Sequence, residues 1–375
     1  MEEQVISSRQ FTIMVLFYTV GTSILIIPAS IALDVQQDAW IVALLGTMLS
    51  LLLVKLYIFL GKNMPNVSFV EMNEKILGKF IGKFVSIGFI ILTLLSSGEL
   101  FYFIGNFLQT EVMIETPSAA FATLFGIIIF FAAYLGIEVF ARSLEILFPF
   151  FIIIFITFVL FISPQIDIHN IQPVFEVSPK PLLYNIFYFM GLFSFPLVVL
   201  LMIYPSAVNV QESAQKGFYI GTIVGGMVLT IIIALCILIL GPNNTSLRTF
   251  PSYALAQKIS VGNFLQRIEI IMAFMWAITI FVRAFVYFYA SVKGLGEILK
   301  IKDHRPLILP LGMISIALSQ IIHPNIVHSN QYNKETWPLY ITVFAIFVPL
   351  LLLIVMKFRK LNGNDASGIA ETKKE

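Results

Sequence analysis

Two apolar segments, each long enough to cross a bilayer, are interrupted near their middles by the same kind of helix breaker. One carries Gly21-Thr22-Ser23 followed by Pro28; the other carries Gly191-Leu192-Phe193-Ser194 followed by Pro196. Inside hydrocarbon an unpaired backbone N–H or C=O costs several kcal/mol, so a break at that depth persists only where it is buried in protein or lines a cavity. Breaks at corresponding positions in the two halves of a chain point to an internally repeated membrane fold with a small-molecule site near mid-membrane. At such a break the freed N–H groups and the positive end of a half-helix suit a carboxylate, while the freed carbonyls suit an ammonium group or a cation. A zwitterionic amino acid matches both.

The rest of the chain supports a lipid-embedded, all-α reading. Hydrophobic residues make up 58% and charged residues 12%, against roughly 25% charged in soluble domains, and the mean hydropathy is +0.93. Runs long enough to cross about 30 Å of hydrocarbon predict ten helices. They lie near 10–31, 39–60, 82–108, 119–138, 144–163, 182–204, 217–240, 264–290, 306–323 and 337–356. Lys and Arg collect at cytoplasmic helix ends. Arg9, Lys62, Lys75, Lys79, Lys83, Arg142, Lys216, Lys293, Lys300, Lys302, Arg305, Lys357, Arg359 and Lys360 fall on one side, against Lys180, Arg248, Lys258 and Lys334 on the other. Both termini are therefore expected in the cytoplasm. Five helices separate the starts of the two broken ones, and an odd number inverts the second copy. The expected architecture is one transmembrane domain over 1–360, built as five plus five inverted helices with repeats at 8–163 and 182–356. A disordered cytoplasmic tail is expected over 361–375.

The connecting segments add less. The leader holds Glu2 and Glu3 beside Arg9, and the apolar run after it exceeds a signal-peptide core, which argues against cleavage near Ser30-Ile31-Ala32. The single Cys236 allows no intrachain disulfide. Asn243-Asn244-Thr245 and Asn244-Thr245-Ser246 match glycosylation sequons on an outer loop. Between helices two and three, Phe69, Met72, Ile76 and Phe80 recur at helical spacing, predicting an amphipathic helix along the cytoplasmic interface. The loop 163–181, with Pro164, Pro173, Pro179 and Pro181, is expected to cap the outer face.

Polar residues within spans carry the remaining chemistry, since their burial is costly. In the third helix Ser96, Glu99, Tyr102 or Phe103, and Asn106 share one face. Glu99 could bind a ligand ammonium, hold a cation, relay a proton, or simply sit in a wet cavity. In the eighth helix Glu269, Trp276, Thr279, Arg283 and Tyr287 form a stripe. A Glu99–Arg283 ion pair suggests itself, but helix centres near 95 and 276 put the two groups roughly 16 Å apart in depth. Glu138, Arg142 and Glu145 read as charges fixing the turn between helices four and five. Catalysis is not expected: His169, His304, His323 and His328 fall in loops or at helix ends with no intramembrane carboxylate cluster nearby, and Gly294-Leu295-Gly296 lacks the strand context of a nucleotide fingerprint. No cofactor, metal or nucleic-acid partner is expected.

The leader Ile6-Ser7-Ser8-Arg9-Gln10-Phe11, the segment Gly21-Thr22-Ser23-Ile24-Leu25-Ile26-Ile27-Pro28, ten helices and short tails together resemble one family over roughly 8–360. It comprises the B-subunit permease-like proteins of spore nutrient germinant receptors, within the LeuT-like amino acid–polyamine–organocation superfamily. The resemblance implies a subunit of the spore inner membrane that senses an amino acid or similar nutrient and triggers germination together with A and C subunits. It also implies ligand contacts from helices one, three, six and eight. These are carried over as Gly21, Thr22 and Ser23; Leu95 and Glu99; Leu192, Phe193 and Ser194; and Thr279 with Arg283. Amino-acid transporters of the superfamily usually hold a paired glycine at the first break, where this chain has Thr22 and Ser23 after Gly21. The same cavity would also serve a proton- or cation-coupled amino-acid permease with Glu99 as coupling residue, and a passive channel is a third reading.

Overall fold

The computed structural model describes residues 5–259 and 269–359. The expected start of the eighth helix near 264, the pair Glu2 and Glu3, and the tail from Lys360 onward lie outside these residues. Among the described residues eight helical stretches are long and apolar enough to cross a bilayer. A shorter apolar helix, Ile308–Ile321, and the half-helix Ser8–Val20 complete ten spans among the described residues.

Span one is two half-helices, Ser8–Val20 and Ser23–Val35, parted at Gly21 and Thr22. Spans two to five are Ala39–Asn63, Lys79–Phe107, Ser118–Leu135 and Ile137–Ile162. Span six runs as an α-helix over Pro179–Phe193 and then tightens to a 3₁₀ helix over Phe195–Met202. Span seven is Gln211–Leu240 and span eight Ile270–Leu299. Span nine is Ile308–Ile321, and span ten runs from Ile326 to Phe358 with two wide turns. The spans predicted at 10–31 and 182–204 are thus the broken ones.

Proline chemistry explains how these breaks survive. Each proline within a helix lacks an N–H and leaves the carbonyl four residues earlier without its helical donor. Pro28 frees Ile24 O, which accepts the Ser252 hydroxyl. Pro196 frees Leu192 O, which accepts Arg283 Nη2 at 2.6 Å and Ser23 Oγ at 3.2 Å. Pro338 frees Lys334 O for Tyr184 Oη at 3.2 Å, and Pro349 frees Ala345 O for Tyr57 Oη at 2.9 Å. Four proline-freed carbonyls are therefore satisfied by side chains from other elements, three of them in the buried interior, where an unpaired carbonyl would be costly. Ser252→Ala is accordingly expected to cost about 2 kcal/mol of stability, the scale of one unsatisfied buried acceptor. Thermal unfolding of the detergent-solubilised protein checks this, and an unchanged midpoint would contradict it.

The first half of span one lies close against span seven. Gly217, Gly221 and Gly225 recur every four residues and meet Thr12, Val15 and Thr19, the close small-residue approach common between membrane helices. The leader is held by a capping box, in which Ser7 Oγ accepts Gln10 N and Ser7 N donates to Gln10 Oε1. Gln10 Nε2 in turn donates to Glu145 Oε2 at 3.1 Å, so Glu145 pins the leader while Glu138 and Arg142 form their own ion pair at 2.5 Å.

The amphipathic segment between spans two and three forms a helix at Phe69–Leu77, opened by a Ser68–Glu71 capping box. Phe69, Met72 and Ile76 are buried, but Phe80 is not on that face. It lies beyond Gly78, at the exposed start of span three. The Pro-rich loop is tied to the start of span two, where Asp38 accepts the Phe175 and Val177 amides at 2.9 and 3.1 Å. Two short helices, Pro242–Leu247 and Pro251–Ala256, occupy the stretch expected to be plain outer loop. Buried Thr245 of the sequon donates to Cys236 O and Gly241 O, closing the end of span seven.

Candidate functional site

Span eight brings the two breaks together. Buried Arg283 donates from Nη1 to Thr22 Oγ1 at 3.2 Å and to Ser23 Oγ at 3.4 Å, and from Nη2 to Leu192 O. Its guanidinium also sits 5.6 Å from the centre of the Tyr18 ring. One turn earlier, Thr279 Oγ1 donates to Gly21 O at 3.0 Å. From span ten, Trp337 Nε1 donates to Gly191 O at 3.0 Å, and Tyr18 Oη closes the set on Pro196 O at 3.0 Å. The carbonyls freed at the breaks are thus occupied. The cation expected there is the protein's own Arg283, placed at the negative end of the first half of span six.

Beside this network lies a small cavity of about 20 Å³, lined by Thr22, Ser96, Glu99, Leu100, Phe103, Leu192, Arg283, Tyr287, Asn333 and Trp337. That is room for one or two waters and no more. Glu99 and Arg283 therefore share one cavity wall without forming an ion pair. The roughly 16 Å depth separation is too large because the eighth helix was centred too early. With the described span at Ile270–Leu299, Arg283 lies at mid-helix and Glu99 some six residues from the middle of span three, a depth difference of about 9 Å at 1.5 Å per residue.

One histidine reaches the cavity carboxylate. His323, in the link between spans nine and ten, is buried, and its Nε2 lies 3.5 Å from Glu99 Oε1. That is ion-pair range, but neither atom has a hydrogen-bond partner among the described residues. The other ring nitrogen, Nδ1, meets His328 Nδ1 at 3.1 Å, and the Tyr102 and Tyr332 rings flank it at 5.2 and 5.4 Å.

Of the ten residues singled out in the sequence, Thr22, Glu99, Leu192 and Arg283 line the cavity. Gly21, Ser23 and Thr279 belong to the hydrogen-bond network that holds the breaks. Leu95 is half-buried and off the cavity wall. Phe193 packs on Phe189 at 5.0 Å, and Ser194 turns back to Met190 O at 3.4 Å, both away from the cavity. Span ten contributes Asn333 and Trp337, which the sequence did not flag, because a tryptophan near a helix start reads as an interfacial anchor.

Residues 5–327 match a protein family described as spore germination protein. The chain is 31% identical over 372 residues to spore germination protein KB of Bacillus subtilis (strain 168), covering 98% of this chain and 99% of that one. It is 25% identical to spore germination protein YndE of the same organism, over 95% and 97% of the two chains. Among solved structures it resembles MHP1, a nucleobase-cation-symport-1 family transporter seen closed with bromovinylhydantoin bound, with a TM-score of 0.71 at 11% identity. That match covers 94% of this chain and 78% of the transporter, and it shows the fold: a helical transporter architecture of five plus five inverted spans with spans one and six broken.

Proposed function

This chain belongs to the spore germination protein family, and from that premise we propose that it is the nutrient-binding membrane subunit of a spore germinant receptor, working with A and C subunits. The family and the fold make it a multi-pass receptor- or permease-like membrane protein. What supports this proposal is the convergence of both breaks, Arg283 and Glu99 on one small cavity.

A small amino acid is the ligand this arrangement suits. Its carboxylate takes the Arg283 guanidinium in place of Leu192 O, a charge-assisted exchange, and its ammonium meets Glu99. Because the cavity as it stands admits only water, binding requires the two half-helices of spans one and six to part, and that movement is the signal passed to the partner subunits. The lysine-rich end faces the cytoplasm, with the protein in the spore inner membrane.

A proton- or cation-coupled amino-acid permease is the second reading, favoured by the transporter fold and by Glu99 beside His323. Nutrient-triggered germination of spores lacking this gene, set beside amino-acid uptake by growing cells of the same strain, separates the two. Lost germination with normal uptake is expected. Normal germination with reduced uptake would make the protein a permease.

A further inference from the structure

We propose that Glu99, His323 and His328 form a proton relay between the face opposite the lysine-rich end and the mid-membrane cavity. His328 is exposed, His323 is buried in the link between spans nine and ten, and Glu99 is buried on the cavity wall, so the three run from surface to site. A core histidine held for packing has its ring nitrogens satisfied by fixed donors and acceptors. His323 does not: among the described residues its Nε2 faces a carboxylate oxygen at 3.5 Å without a hydrogen bond, and its Nδ1 meets the Nδ1 of another histidine.

The contact between two Nδ1 atoms at 3.1 Å constrains where the protons lie, because one nitrogen must donate and the other accept. In the first state His328 Nδ1–H donates to His323 Nδ1, and His323 Nε2–H faces ionised Glu99. In the second His323 Nδ1–H donates to His328 Nδ1, His323 Nε2 is bare, and Glu99 Oε1 carries a proton. Conversion needs three moves: a solvent proton adds to His328 Nε2, the proton on His328 Nδ1 passes to His323 Nδ1, and the proton on His323 Nε2 passes to Glu99 Oε1. One proton enters, one reaches Glu99, and both imidazoles end neutral. The last step closes a 3.5 Å gap by a few tenths of an ångström, within side-chain reach.

The groups around this path are few. Tyr102 of span three and Tyr332 of span ten flank His323 with their rings. Arg283 and Tyr287 of span eight and Asn333 of span ten share the cavity with Glu99. Moving one proton onto Glu99 adds one positive charge to the cavity wall it shares with Arg283, a large electrostatic change for so small a space. The relay does not depend on the nutrient reading, since it requires only a proton as ligand.

The test is an acid jump from about pH 8 to about pH 5, a range that spans imidazole titration, on purified full-length protein in lipid nanodiscs, followed by time-resolved infrared difference spectroscopy. A carboxylic C=O band is expected to rise in the wild type and to be missing in Glu99→Gln. His323→Leu is expected to slow its rise at least tenfold, and His328→Ala, a surface change that spares folding, several-fold. Imidazole added to the buffer should restore the His328→Ala rate. A band that persists in Glu99→Gln, wild-type rates in both histidine variants, or a slowed His328→Ala that imidazole does not rescue would each overturn the relay.

Discussion

Arg283→Met is expected to leave a folded protein with a thermal midpoint close to wild type and to weaken the ligand response on the order of 100-fold. The two halves of this expectation have different origins. Burying a guanidinium among neutral partners carries a desolvation cost, and an apolar side chain of similar length removes that cost together with the bonds to Thr22, Ser23 and Leu192. Ser23 Oγ still satisfies Leu192 O, so no carbonyl is orphaned. The lost bonds and the lost penalty therefore nearly cancel in stability. They do not cancel in binding, where a charge-assisted contact to a ligand carboxylate is worth about 1.5–3 kcal/mol, or roughly ten- to 150-fold in affinity. Arg283→Lys keeps the charge but cannot reach both breaks at once, and an intermediate, roughly tenfold loss is expected. Half-saturating amino-acid concentration for germination, measured beside the melting temperature of each variant, separates the terms. A sharp fall in midpoint with an unchanged half-saturating concentration would make Arg283 a clasp between the breaks and remove it from the ligand site.

What could be read in advance was local. Gly21, Pro28, Gly191 and Pro196 announce breaks because glycine permits, and proline compels, a departure from helical hydrogen bonding whatever surrounds them. The partners of the freed carbonyls could not be read, because Ser252, Arg283 and Trp337 reach them from segments distant in the chain. Helix limits failed for a related reason. Ser291 and Lys293 look like residues beyond a membrane span, yet Ser291 donates to Thr93 Oγ1 and Lys293 donates to Met202 O and Ser206 Oγ inside the protein. Hydropathy cannot distinguish a polar group facing water from one facing a polar neighbour. The same blindness set span ten's start at 337 instead of Ile326 and moved the centre of span eight away from Arg283. His323 was missed because a link between helices reads as surface, whereas packing turns this one inward onto Glu99 and Tyr102.

Gly21→Ala is expected to abolish the ligand response and to cost about 3 kcal/mol, whereas Gly191→Ala should cost about 1 kcal/mol. Gly21 has φ +33° and ψ −126°, a conformation that side chains with a Cβ rarely adopt. A Cβ there would also stand 2.5 Å from Arg283 Cδ and 2.9 Å from Tyr18 O. The arginine stem could swing aside, although only by leaving Thr22 and Leu192. The Tyr18 carbonyl is backbone and cannot yield cheaply. At Gly191 the backbone is not in the left-handed region, and a Cβ would meet the ring of Pro338 at 2.9 Å, a contact that a small shift of span ten relieves. The two glycines, alike in the sequence pattern, are therefore unlike in tolerance: Gly21 is constrained by its backbone conformation and a charged neighbour, Gly191 by packing against span ten. Gly21→Trp, which adds bulk at the same point, should abolish the response even where the protein folds. Thermal midpoints and dose–response curves of Gly21→Ala and Gly191→Ala, measured side by side, decide the matter. Equal losses at the two positions would mean that volume controls both breaks. A responsive Gly21→Ala protein would place the ligand elsewhere than beside the first break.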